Sequence, residues 1–435
     1  MTQALNSQYL KEIMSDTHQR TLELVAGLDD EQLMGPKLPI VNPLRWEIGH
    51  VAWFHEKFIL RDLYGRSPLL SNGDELYDSI AIHHESRWDL PLLNLQETLG
   101  YIENIYNDCL SMLPRNLASE EESYIYQFCT FHEDMHTEAY TWSRQTLSYP
   151  QPDFANMQIV DDAMAGAFPG DADIPGGSFL LGTSADEVFL FDNEKWAHEI
   201  NIDAFSIAKA PVTNADFMDF VKSGGYQQAE FWSEEGWLWR QQNAAEHPVY
   251  WIKHDGPTWQ LRQFNETVDM PLNQPIIHVN WYEANAYCRW ASRRLPSEAE
   301  WDAAALGETA KDGKTLARSL RSYPWGEQSP KPEHANLDGR ALGCIDVAAL
   351  ATGDSAFACR QMLGNVWEWT ATTFAPFPGF SADAYKEYSE PLFYDTKVLK
   401  GGTWATRSRM ISGRYRNFFP PHRCDVMAGF RTCAL

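Results

Sequence analysis

The sequence has few basic side chains for its length: 35 lysines and arginines face 60 aspartates and glutamates in 435 residues, a formal net charge of −25. A field of that sign repels phosphate backbones and anionic lipid surfaces, which argues against generic nucleic-acid or membrane binding and leaves small solutes as the expected partners. The amino terminus, MTQALNSQYLKEIMSDTHQR, lacks a basic flank followed by an apolar core, and no charge-free apolar run reaches about 18 residues. Neither secretion nor membrane spanning is supported, and a cytoplasmic protein is expected. There is no C-x-x-C pair. The seven cysteines (Cys109, Cys129, Cys288, Cys344, Cys359, Cys424, Cys433) are odd in number and scattered, which suits reduced thiols better than a disulfide framework. A phosphate-binding G-x-x-x-x-G-K-[ST] loop, a dinucleotide glycine fingerprint and any repeat of fixed period are also missing.

What is present is core-forming material. Hydrophobic residues make up 44% of the chain and aromatics 13%, with 17 tryptophans, so the composition is that of a globular protein. Single cores stop growing near roughly 250 to 300 residues, so two domains are expected. Residues 1–147 read as helical. LRWEIGHVAWFHEKFILRDLYG places Leu44, Ile48, Val51, Ala52 and Phe58 at helical spacing after Pro43 and before Gly65. LQETLGYIENIYNDCLSML, EESYIYQFCTFHEDMHTEAYTWSRQTL and residues 3–27 supply three more helices, enough for a four-helix bundle. Residues 148–176, rich in Pro, Gly, Asp and Ala, read as a linker. From 177 to 435 short apolar runs alternate with turn residues and a few amphipathic helices, the texture of an α+β domain.

His132 and His136 lie four apart in FHEDMHTEAY. On a helix that spacing leaves about 40° of azimuth and about 6 Å between them, so both imidazoles can address one ion or simply form ordinary hydrogen bonds. His50, in the apolar helix EIGHVAWF, is a third candidate. Burying three histidines among aromatics is costly unless each finds a partner, and one divalent cation bound by neutral imidazoles meets that need. Three ligands instead of four leave coordination positions open for chemistry. Glu138, six past His132, points elsewhere and reads as a residue behind the site or a surface charge; His55, about 140° from His50, is given no ligand role.

GHVAWF, the H-x-x-x-H-x-E pattern at His132, His136 and Glu138, and the later motifs GGSFLLGT, APVTNADFMDFV, RLPSEAEWDAAA, GNVWEWT, KGGTWATR and AGFRTC together resemble the non-haem iron sulfoxide synthases of ergothioneine biosynthesis and their selenoneine synthase relatives. The resemblance implies a DinB-like four-helix domain followed by an α+β domain like formylglycine-generating enzyme and C-type lectins. It further implies Fe(II) on His50, His132 and His136, with O2 as co-substrate and hercynine (trimethylhistidine) as the acceptor of sulfur or selenium. The segment AYKEYSEPLF matches the family's proton-donating tyrosine at Tyr385, with Tyr388 as the rival. A phenol near pKa 10 gives up its proton only to a strongly basic acceptor. RYRNFFPPHRCD matches the hercynine-binding stretch: Asn417 is the implied hydrogen-bonding group, Phe418 and Phe419 the aromatic faces for a quaternary ammonium, and Arg423 stands beside them.

The branch that uses γ-glutamylcysteine carries an acidic residue where this chain has Phe419, an arginine pair of which only Arg87 is retained with His84 in the other place, and often Gln where Met135 stands. Those changes remove charges that a dipeptide zwitterion needs. Cysteine or a selenosugar suits the site better, and SRWDLP, HEDMHTEA and RYRNFFPP are most similar to the selenoneine synthase branch. Competing readings are a DinB-type zinc thiol S-transferase, which needs no oxygen; a formylglycine-generating oxidase, for which Cys424 and Cys433 are too far apart in sequence; and a lectin-like binding module.

Overall fold

The computed structural model describes residues 3–158, 160, 162–184, 187–253, 258–383 and 385–435. The chain forms two compact units: Met1–Phe154 with Ala185–Phe189, and Ala155–Ser184 with Leu190–Leu435.

The first unit is built on four long helices: α1 (Ser7–Val25), α2 (Leu44–His55), α3 (Leu95–Met112) and α4 (Glu120–Thr146). Three start on side-chain caps. Asn6 accepts the N–H of Gln8, and Asn94 and Ser119 form reciprocal capping boxes with Glu97 and Glu122, satisfying amides that the first turn leaves without partners. α2 begins after Pro43, which has no N–H to satisfy. It runs directly into a π-helical stretch, Glu56–Leu63, and the chain turns away at Gly65 with φ +67°. α1 packs on α4, and α2 on α3. The core between them takes Leu10 and Met14 from α1, Ile48, Val51 and Phe54 from α2, Ile102 and Ile105 from α3, and Tyr126, Phe128 and Tyr140 from α4, each large apolar side chain contributing roughly 1.5 to 3 kcal/mol. Phe189 belongs to this unit too, stacked on Tyr124 at 5.4 Å and edge-on to Phe131 at 4.8 Å.

The second unit is α+β. One four-stranded sheet has the order Asp171–Ile174, Phe205–Ala208, Cys433–Ala434, Arg293–Arg294; another has the order Asn417–Phe419, Lys397–Lys400, Trp367–Thr373, Ala428–Gly429. The stretch expected to be a linker therefore supplies an edge strand. Ala172 and Ile174 alternate inward and Asp171 and Asp173 outward, and a register partner at Phe205–Ala208 gives the four residues a place to pair. Val160 and Ala163, also in that stretch, pack against Ile345, Ala349 and Leu350.

The recurrent motifs of this unit form its buried frame. Arg431 pairs with Glu368 through two 2.7 Å bonds, and Trp301 Nε1 donates to the same carboxylate at 2.8 Å. Arg416 pairs with Glu298 at 2.6 and 3.1 Å. Gly401, at φ +98°, brings the backbone so close to Met362 O that a Cβ would sit 2.7 Å from it. All seven cysteines are free thiols, and among the described residues no helix is long and apolar enough to cross a membrane.

Candidate metal centre

α2 and α4 bring His50, His132 and His136 together, with nitrogen donors that all lie within 4.8 Å of one another. Ring centroids are 5.2 Å apart for His50 and His132, 5.0 Å for His50 and His136, and 4.6 Å for His132 and His136. The four-residue step along α4 does what helix geometry requires of it, and α2 supplies the third imidazole across the bundle.

The rings are held by their far sides. Nδ1 of His50 donates to the carbonyl of Tyr77 at 2.8 Å, and Nδ1 of His136 donates to Oε1 of Glu47 at 2.6 Å, which leaves Nε2 of both as the free lone pair. Trp46 stacks on His50 at 5.0 Å and 7°, and Phe54 on His132 at 3.5 Å and 8°. Burial, reinforced by the neighbouring histidines, pushes the proton affinities of His50 and His132 well below the usual histidine range, so both present neutral donor nitrogens. Two buried imidazoles and a half-buried third, with open positions, suit a first-row divalent cation, and the residues present fit the iron that the family resemblance implies.

Two supporting residues were not picked out by motif. Glu47 had a signal, since it precedes His50 by three on the same helix, one turn away. Tyr77 had none; its carbonyl is delivered by the short helix Gly73–Tyr77. Gly49 makes that approach possible, because a Cβ there would lie 2.1 Å from the Tyr77 ring. Glu138 is 6% exposed, which removes the surface-charge reading: α4 is buried nearly all round, so even the side away from the trio is inside. His55 stands outside the trio with Nδ1 bonded to Val51 O at 3.0 Å.

Two sequence-family models match the chain: the DinB superfamily over residues 13–139 and the sulfatase-modifying factor enzyme 1-like domain over residues 159–434. Hercynine oxygenase of Mycobacterium tuberculosis is 35% identical over 416 residues, covering 95% of each chain, and that of Mycolicibacterium thermoresistibile is 34% identical, covering 96% of this chain and 92% of the relative. This chain belongs to the hercynine oxygenase family. As a member of that family it is an enzyme of the oxidoreductase class. Formylglycine-generating enzyme of Thermomonospora curvata shares 32% identity over 300 residues, 60% of this chain and 92% of its own.

The remaining sequence candidates fall in separate places. Arg87, in the first unit, is buried: its guanidinium stacks 3.9 Å above Trp46 and donates to Asn42 Oδ1 at 2.7 Å and to the carbonyls of Ser79 and Ile82. Met135 is half-buried on α4 beside His136. In the second unit, Asn417, Phe418 and Phe419 form a three-residue strand, so Phe418 faces opposite to its neighbours. Phe418 stacks on Phe374 at 4.1 Å inside a core cluster with Val398, which turns that ring from a ligand face into packing. Tyr388 meets the same cluster, 5.5 Å from Phe418 and 5.2 Å from Phe191, and burial holds its phenol above the ordinary range. Tyr385 is half-buried. Asn417 Oδ1 accepts the N–H of Phe418 at 2.9 Å, and Arg423 lies 5.5 Å from the Phe419 ring and pairs with Asp425 at 2.5 and 2.6 Å.

Proposed function

We propose that this chain is a non-haem Fe(II)- and O2-dependent synthase that joins the imidazole of hercynine to a selenium or sulfur donor. The observation that carries the reading is the three-histidine centre in a chain similar along its length to hercynine oxygenases. The overall change removes the imidazole C–H and the chalcogen–H bond and forms a carbon–chalcogen bond. In the sulfoxide form one atom of O2 ends on the chalcogen and the other leaves as water.

Bound iron would supply the redox chemistry that couples O2 to both partners. His50, His132 and His136 would hold it as neutral imidazole ligands, a donor set that adds no negative charge of its own. Trp46 and Phe54 keep water from the rings they cover. In this proposal Tyr385 holds the proton delivered from its phenol oxygen, Asn417 hydrogen-bonds hercynine, and Phe419 with Arg423 lines the substrate region; Phe418 supports them from the core. Met135 and Arg87 border the donor.

Phe419 in place of a carboxylate and the inward-bonded Arg87 favour a weakly charged donor, with a selenosugar as the leading choice and cysteine or γ-glutamylcysteine as alternatives. A cytoplasmic site of action belongs to the same proposal and is supported by the seven free thiols. The test is anaerobic Fe(II) loading with hercynine, then air and a panel of selenium and sulfur donors, read by mass spectrometry; absence of any hercynine-derived chalcogen product sinks the reading. Phe419→Asp is expected to shift donor preference toward γ-glutamylcysteine, and an unchanged preference counts against the placement of the donor. A zinc thiol transferase would need zinc and consume no oxygen, and a lectin-like module would bind no stoichiometric metal.

A further inference from the structure

Glu47 is 1% exposed, and its two carboxylate oxygens are treated differently. Oε1 accepts the Nδ1–H of His136 at 2.6 Å, while Oε2 is buried and has no hydrogen-bond partner among the described residues. A carboxylate in such a place is expensive unless positive charge stands close by. Glu47 lies on α2 and His136 on α4, so the bond also ties together the two helices that supply the three imidazoles. On α4, one turn past His136, the fully buried Tyr140 feels the charge of Glu47, which adds to the effect of burial in raising its phenol above the usual range.

We infer that Glu47 is the positioning residue of the metal centre: through the Nδ1–H of His136 it fixes Nε2 toward the ion, strengthens that nitrogen as a donor and supplies the negative charge that offsets the cation, so that it sets the affinity of the site for its metal. The proposal rests on the three-histidine reading. The carboxylate touches no substrate; it acts through the imidazole. His136 is held by a carboxylate and His50 by a carbonyl, so His136 is the stronger donor of these two. Interactions of this kind behind a metal ligand typically change affinity by roughly 10- to 100-fold.

The test compares the full chain with Glu47→Gln, an isosteric change that keeps an acceptor for Nδ1–H and removes the charge. Competition against a chelator with Co(II) as probe is expected to show roughly 10- to 100-fold weaker binding, shifted Co(II) absorption bands, and a metal-free Tm that is not lowered. Affinity within twofold of the parent and unchanged bands would overturn the proposal, as would a lowered metal-free Tm with unchanged affinity. A second measurement needs no variant. In the parent protein loaded with Zn(II), nitrogen-edited NMR is expected to show a solvent-protected Nδ1–H on His136, and loss of that proton to exchange contradicts the inference. His132→Ala separates the layers: if that variant still loads metal, the three-histidine site itself fails, whereas loss of metal there with an indifferent Glu47→Gln rejects only the role of Glu47.

Discussion

At the scale of single residues, the histidine trio divides into what sequence can show and what it cannot. The His132 and His136 pair was legible because helix geometry is local: four residues always return to nearly the same face. His50 was legible by chemistry, as a basic group in an apolar helix. The bond from His50 to the Tyr77 carbonyl was not, since 27 residues separate the partners and no pattern connects them. Phe418 is the instructive correction. Asn417, Phe418 and Phe419 looked like one recognition run, and the two-residue period of a strand sends the middle ring into the core. Tyr388 packs against the same cluster. Tyr385→Phe is therefore expected to keep metal and substrate binding while losing or diverting turnover, read by product mass spectrometry. Tyr388→Phe is expected to act mainly on stability, and the opposite pattern would exchange the two roles.

At the scale of elements, α2 is where the site is made or lost. It carries His50, Glu47, Trp46 and Phe54, and Gly49 lets the Tyr77 ring lie against its backbone. Gly49→Ala gains helix propensity in principle, by about 1 kcal/mol, but a Cβ 2.1 Å from the Tyr77 ring must displace that ring. Overpacking of this kind costs about 1 to 3 kcal/mol, so the clash wins. The expected outcome is a lower Tm in denaturation together with weaker metal binding, because the carbonyl that orients His50 moves with Tyr77; a Tm at or above that of the parent contradicts the packing argument. The long helices were legible from periodicity and caps. The strand Asp171–Ile174 was not, because four residues form a strand only when a distant partner, here Phe205–Ala208, is offered.

At the scale of the whole molecule, the two units are expected to respond to acid with opposite sign. In the first, His50, His55 and His132 are all held below the ordinary histidine value by burial, His55 at about 4. Between pH 6.5 and 4 the unfolded chain takes up a proton at His55 that the folded chain refuses, so stability falls with pH, by at most about 1.4 kcal/mol per pH unit for each such group. In the second unit, burial raises Glu194 and Glu283 to about 7 and Asp302 to about 6, against three histidines that burial lowers, His278 to about 4 and the more exposed His334 and His422 less strongly. There the folded state binds the extra protons as pH drops from about 7 toward 5, and stability is held or gained. Pulse proteolysis of metal-free protein at pH 7.5 and 5.5, with fragments mapped by mass spectrometry, is expected to show Met1–Phe154 weakening first; earlier cleavage throughout 190–435 contradicts these protonation assignments. The motifs most recognisable in the C-terminal half, GNVWEWT, KGGTWATR and AGFRTC, turned out to be frame: they supply Glu368, Gly401 and Arg431 to its buried pairs and close approaches.

The most direct measurement of the central claim is iron stoichiometry. Purified chain equilibrated anaerobically with Fe(II) and freed of excess is expected to retain one iron per chain by elemental analysis, and His132→Ala, with its helical circular dichroism preserved, is expected to retain none. A parent that holds no iron, or a His132→Ala variant that loads as much as the parent, would contradict the account of a single ferrous centre built on His50, His132 and His136.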